Sequence, residues 1–184
     1  MIEKVLTPDS EVRQRYAKIG VVAFIKNPDG QILLLQEKQT KRETGKNSGD
    51  ISVLCETSED GEGWGETLVR GIKEELGVDY IYQPTLFSIG KKDGYLGETI
   101  FVEGVLARVI VIHFIGQTDL FVPETDLGEV KVVGWEVPAR LTSYSLRSGV
   151  RNVWNECQYS VSEENNPDDL WPLSIACLHT VDTE

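Results

Sequence analysis

Glu62, Glu66, Arg70 and Glu74 recur every fourth residue, and Glu75 follows directly. Trp64, Leu68, Ile72 and Leu76 recur with the same period, two positions out of step. Each row has the spacing of one helix face, and a shift of two residues turns a helix through about 200°. The apolar row therefore faces a core while the charged row faces a cleft. Carboxylates gathered at a cleft are hard oxygen ligands that suit a divalent cation. Arg70, one turn ahead of Glu74, is placed to orient that carboxylate through a charge-assisted hydrogen bond. The reading without chemistry is a solvated face whose ion pair contributes under about 1 kcal/mol.

This helix is expected from about Trp64 to Leu76, with Gly77 as its left-handed stop. A turn at Ser58-Glu59-Asp60-Gly61 and a short strand at Ile51–Leu54 lead into it. Upstream, the apolar runs Ile19–Lys26 and Gln31–Gln36 flank Asn27-Pro28-Asp29-Gly30, which has the composition of a hairpin turn. Between hairpin and helix lies the polar segment 38–50 with Lys38, Lys41, Arg42 and Lys46, the one positive island of the chain. It is expected to be a mobile loop, and its two readings are a solvated loop and a grip on substrate phosphates.

Further strands are expected at Glu98–Val102, Ala107–Ile115 and Val130–Trp135, with looser alternation over Tyr80–Ile89. A second helix, from about Ser143 to Gln158, has Leu146, Val150, Val153, Trp154 and Cys157 on one face. Strands, helix, strands and helix in this order give an α+β layered domain with a mixed sheet. Residues 1–160 make this domain, with 1–16 a polar approach segment or short helix. Residues 161–184 are an acidic linker and an apolar tail that must pack on the domain or on a partner, such as a second copy in a homodimer.

The 184 residues suit one domain with a proper core, and 40% hydrophobic and 26% charged residues is an ordinary globular balance. The net charge of −12 and pI near 4.7 argue against nucleic acid polymers and anionic membranes as partners. A small phosphorylated substrate then needs local help from a metal or a basic loop. Cys55, Cys157 and Cys177 form a sparse set without metal-ligand spacing, as for reduced thiols in the cytoplasm. Cys55 is read as a half-buried thiol rather than a nucleophile, because no motif places His113 or His179 beside it. His113, inside an apolar strand, is read as structural.

The segment from Glu56 to Val78 resembles the Nudix box, G-x5-E-x7-R-E-U-x-E-E-x-G-U with U a bulky aliphatic. Glu62, Arg70, Ile72, Glu74, Glu75, Gly77 and Val78 match it. Two positions depart. The opening glycine is Glu56, preceded by Cys55, and the glutamate after the arginine is Gly71. The resemblance extends over roughly residues 18–140, through the segment before Glu56 and through ETDLGEVKVVGWEV.

The resemblance implies the Nudix α/β/α sandwich and Mg²⁺- or Mn²⁺-dependent hydrolysis of a diphosphate linkage in a nucleoside diphosphate derivative. It implies Glu74 and Glu75 as paired metal ligands, with Arg70 and Glu62 beside them in the catalytic set. Lys38, Lys41, Arg42 and Lys46 would then meet the substrate. Gly71 removes a carboxylate that is commonly a metal ligand in that family. Its substitute is Glu124, Glu129 or Glu56, and the sequence leaves the three open. A glycine inside a helix costs roughly 1 kcal/mol relative to alanine, so it is not there for stability. The alternative function is a Nudix-fold nucleotide-binding or regulatory protein with impaired catalysis.

Overall fold

The computed structural model describes residues 18–77, 87–90, 99–102, 104–115, 126–162 and 170–172. The expectations for segment 1–16, Glu124, the linker at 163–169, Cys177 and His179 lie outside them. The hairpin strands are β1 (Lys18–Lys26) and β2 (Ile32–Glu37). They meet antiparallel only beside the turn, at Lys26 and Ile32. The turn itself is closed by the Gly30 amide donating to the Asn27 carbonyl at 2.9 Å, with Gly30 at φ 75°.

Beyond that contact the two strands diverge, and the next segment fills the opening. β3 (Ile51–Ser52) pairs with β2, and β4 (Leu54–Thr57) pairs with β1. A single run of seven residues thus crosses from one strand to the other and presents Cys55 and Glu56 at the open end. β5 (Phe87–Gly90), β6 (Thr99–Val102), β7 (Val105–Phe114), β8 (Asp126–Leu127), β9 (Val130–Glu136) and β10 (Leu170–Pro172) complete a mixed sheet. Its main path is β10-β5-β7-β1-β2-β9-β8, and β1 and β7 run parallel.

Strands alternate their side chains between two cores, as the period of two requires. Val21, Ala23, Ile25, Leu33 and Leu35 pack under helix α1 (Trp64–Leu76), against Trp64, Leu68, Ile72 and Leu76. Val22, Phe24, Ile32 and Leu34 pack on the other face under helix α2 (Ser148–Ser162), against Val150, Val153, Trp154 and Cys157. The expected apolar rows of both helices are core, and the architecture is helix on sheet on helix.

The second helix starts later than its periodicity suggests. Residues 138–143 form a 3-10 turn, after which Ser145 and Arg147 bond as a strand would. The Ile51 amide donates to the Ser145 carbonyl at 2.7 Å, and the Arg147 amide donates to the Ile51 carbonyl at 2.8 Å. These two bonds hold residues 145–147 extended, so the helix begins at Ser148. They also fix Arg147 beside the open end of the sheet.

Gly20 marks the tightest approach there. A Cβ at this position would stand 2.6 Å from the Glu56 carbonyl oxygen and 3.2 Å from Val105 Cγ1. Gly20→Ala is expected to push β4 away from β1 and lower stability by roughly 1–3 kcal/mol, as overpacking does. Urea unfolding of the two proteins checks this.

Candidate functional site

Helix α1 carries more chemistry than its periodic charges announce. Its buried surface is wider than the apolar stripe and includes Thr67, Gly71 and Glu75, a row that leans on β4. The row Glu62, Glu66, Arg70, Glu74, expected to face a cleft as a unit, is divided among different tasks. Glu66 turns back to accept the Gly63 amide at 2.7 Å and caps the first turn. Glu74 is exposed, as Glu66 is, with 56% of its side chain accessible. Glu75, one residue and about 100° further round, is the glutamate that enters the protein.

Arg70 is the hub of this region. It forks onto Glu62, with Nε donating to Oε1 at 2.8 Å and Nη2 donating to Oε2 at 2.9 Å. Its Nη2 also donates to the Thr57 carbonyl at 2.7 Å, and its Nη1 lies 3.2 Å from both Glu74 Oε2 and Glu56 Oε1. The i,i+4 contact with Glu74 is the one its spacing predicts. Glu62 accepts the Glu59 amide at 2.8 Å and the Thr67 hydroxyl at 3.2 Å. The Arg70 fork first, and these donors with it, hold the Glu62 carboxyl down at about 2 against the opposing effect of burial. Glu62 is therefore a clamp between the turn and the helix.

Glu75 has the opposite environment. Only 8% of the residue is exposed, and its Oε2 has no hydrogen-bond partner. Burial pushes its carboxyl up to about 7; Lys46 pulls it down, and Glu56, Glu37 and Glu129 push it up. A buried carboxylate surrounded by three others is costly unless a cation joins it.

Glu37 and Arg147 belong to the site and were not singled out in the sequence. Glu37, at the end of β2, is 2% exposed and lies 3.7 Å from Lys46 Nζ and 3.4 Å from Arg147 Nη1. The available signal was a charge closing an apolar strand run, which is common at strand ends. Arg147 also donates through Nη2 to the Thr44 carbonyl at 3.0 Å.

The basic segment takes a defined path, contrary to the expectation of a mobile loop. A 3-10 turn at Arg42–Thr44 is closed by a bridge between Lys41 and Lys46. Its cations largely serve this path. Lys41 is paired with Glu129, and Lys46 donates to Glu129 at 3.0 Å. Lys38 donates to the Gly128 carbonyl at 2.6 Å. Arg42 is exposed on the 3-10 turn. The carboxyl of Glu129 is lowered by the hydrogen bonds from Lys41 and then Lys46. Lys46 is raised because Glu37 and Glu129 outweigh the lowering effect of burial.

A cleft of about 260 Å³ opens beside these residues, lined among others by Lys18, Thr44, Cys55, Glu56, Val105 and Arg147. Cys55 is a free thiol pushed up by burial, as a half-buried thiol should be and a nucleophile should not. His113 pairs with Lys26 in the register of β1 and β7, at the far end of those strands from Lys18 and Val105. Burial, and then Lys26, lower it to about 4, so it is neutral near pH 7 and stands away from the cleft.

The donor set fits a hard divalent cation. It is all carboxylate, and Glu75 Oε2 is a buried oxygen with no hydrogen-bond partner. Among the described residues no three metal-binding side chains converge tightly enough to cage an ion alone. Mg²⁺ is commonly held by one or two carboxylates together with substrate phosphates rather than by such a cage. No helix among the described residues is long and apolar enough to cross a membrane.

Known proteins show the same architecture. The MutT protein from Methanosarcina mazei Go1 superposes with a TM-score of 0.51 at 18% identity, covering 79% of this chain and 96% of that one. RenU, a Nudix hydrolase from M. smegmatis, gives 0.53 at 13% identity, covering 83% and 90%. A NUDIX hydrolase from Nitrosomonas europaea gives 0.52 at 16% identity, covering 82% and 93%. No curated protein matches by sequence. The family model described as NUDIX domain matches residues 17–145, most of the chain and all of the site just described except Arg147. This chain belongs to the Nudix family.

Proposed function

We propose that the protein is a Mg²⁺- or Mn²⁺-dependent hydrolase that cleaves a diphosphate linkage in a nucleoside diphosphate derivative. The observation that carries this reading is Glu75, a carboxylate buried without a partner for its Oε2 and raised by its surroundings. Such a group is held in place at a cost to the fold, which is the mark of a functional residue. Glu75 is the principal metal ligand, and Glu74, on the exposed side of the same turn, is the second. Arg70 and Glu62 hold that turn against the β4 end, so they position rather than react.

When bound, the cation supplies a water of lowered pKa and polarises the phosphorus under attack. The chain's own residues do the rest. Arg147 and Lys18, which line the cleft, offer positive charge to the substrate phosphates. Lys41 and Lys46 stabilise the wall of the site through Glu129 and Glu37, and Lys38 and Arg42 remain on the loop that faces solvent. Glu129 acts on Glu75 within the same charged group, and Glu124 is a further candidate from the adjoining segment. Cys55 and Cys157 are thiols outside any disulfide, which suits the reducing cytoplasm.

The test is release of a nucleoside monophosphate together with a second phosphorylated product from a panel of nucleoside diphosphate derivatives with Mg²⁺, with Mn²⁺ and with chelator. Turnover that needs the metal and falls at least about tenfold in Glu74→Gln is expected. Tight nucleotide binding with no turnover on any substrate would favour the binding protein instead.

A further inference from the structure

The two departures from the Nudix box are in contact with each other. A Cβ built on Gly71 would lie 3.1 Å from Glu56 Cβ, 3.4 Å from Glu56 Cγ and 3.6 Å from Leu54 Cδ1. The stem of Glu56 therefore occupies the space that a side chain at 71 would need. Glycine stands on the helix where the box has glutamate, and glutamate stands on the strand where the box has glycine. Seen as packing, this is one carboxylate moved across a shared contact.

Glu56 also stands close enough to Glu75 for its charge to push the Glu75 carboxyl up. It lines the cleft, and its Oε1 accepts the Thr57 amide at 3.0 Å and lies 3.2 Å from Arg70 Nη1. Both contacts use one oxygen, which leaves Oε2 for a ligand. The same guanidinium holds Glu62 and Glu74, so Glu56 is tied to the helix that carries Glu75. Glu75 supplies an independent sign that the cluster takes a cation, since it is more than nine-tenths buried with Oε2 unpaired.

We propose that Glu56 provides, from strand β4, the carboxylate missing at Gly71, and that Glu56 and Glu75 together bind the divalent cation. This rests on the metal-dependent reading above and adds to its helix carboxylates a ligand from the strand. Glu124 and Glu129 are then not the replacement. The exchange also explains why a glycine is tolerated in the middle of α1: any larger residue at 71 competes with Glu56 for the same volume.

The experiment is Mn²⁺ binding to the full chain, followed by electron paramagnetic resonance of the free ion. It compares wild type, Glu56→Gln, Glu56→Gly, Gly71→Glu and the double variant Glu56→Gly with Gly71→Glu. Glu56→Gln keeps the stem against Gly71 and is expected to weaken Mn²⁺ at least about tenfold while thermal unfolding stays close to wild type. The double variant, which returns the carboxylate to the helix, is expected to bind within about threefold of wild type, whereas Gly71→Glu alone is overpacked and gains nothing. Wild-type Mn²⁺ affinity in Glu56→Gln, or no recovery in the double variant relative to Glu56→Gly, overturns the assignment. Loss of Mn²⁺ in Glu56→Gln from a wild type that hydrolyses nothing would support the ligand assignment while the hydrolase reading fails. Retained Mn²⁺ binding in Glu56→Gln from an active wild type would do the reverse.

Discussion

Glu75→Gln is expected to be inactive and, near pH 8 without metal, more stable than wild type. The substitution keeps the shape of the side chain and removes the charge that the site concentrates. In the wild type the folded carboxyl is raised from 4.5 to about 7, chiefly by burial. A group raised in this way favours the fold fully below its unfolded value and loses that contribution as pH rises through the folded value. Above pH 7 the ionised Glu75 thus costs the fold about 3 kcal/mol, an order-of-magnitude figure.

Glutamine is neutral throughout, so the stability difference between the proteins should open between pH 4.5 and 7 and be largest above it. For a chain of this size it corresponds to a rise in Tm of roughly 2–4 °C for each kcal/mol. Saturating Mn²⁺ should close the gap by stabilising the wild type alone. Activity should fall by at least about 100-fold, beyond the effect of removing a residue that only supports a metal ligand. Thermal unfolding across pH, with and without Mn²⁺, reads all of this. Equal stability of the two proteins at pH 8 would contradict the buried-charge account.

Arg70→Ala is expected to have the opposite signature, losing stability and activity together. Glu62, Glu56 and Glu74 would keep their charges without the cation they share, and the Thr57 carbonyl would lose its donor. Breaking a buried pair by removing one partner costs about 3–5 kcal/mol. The Arg70 and Glu62 side chains are 18% and 19% exposed, which places the loss toward the lower end of that range. Arg70→Lys should recover little, because an ammonium cannot reproduce the two-pronged bond to Glu62 and the bond to Thr57 together. The depressed Glu62 carboxyl adds a pH signature. Its contribution is present above about pH 4.5 and is lost as pH falls toward 2. Wild type should therefore be destabilised by acid over this window, and Arg70→Ala should show a smaller change. Urea unfolding at pH 3 and pH 6 compares them.

The fold was legible where side-chain period and burial coincide. The rows at Trp64 and at Val150 named both helices and the face each buries, and the hairpin was evident from Asn27-Pro28-Asp29-Gly30. The late start of the second helix was not, because it depends on bonds between Ile51 and residues 145–147, far apart in sequence. The site divided in the same way. Arg70 with Glu74 could be placed by helix spacing, and their contact follows it, whereas the fork of Arg70 onto Glu62, which lies before the helix begins, could not. The burial of Glu75 rather than Glu74 could not, since it follows from how α1 rolls onto β4. Glu37 and Arg147 were hidden for a related reason: each looks like an ordinary terminal charge until the sheet opens and brings them within 3.4 Å. The role of Lys41 and Lys46 also depended on a distant partner, Glu129, which converts part of a basic loop into a wall.

The most direct test of the central claim is a single reaction in ¹⁸O-labelled water with Mg²⁺ and a nucleoside diphosphate derivative that the panel shows to be turned over. Hydrolysis by attack of water on phosphorus predicts one ¹⁸O in one of the two phosphate-bearing products per turnover, and no label without metal or in Glu75→Gln. Products free of label on phosphorus, or labelled equally with chelator present, would contradict the proposed chemistry.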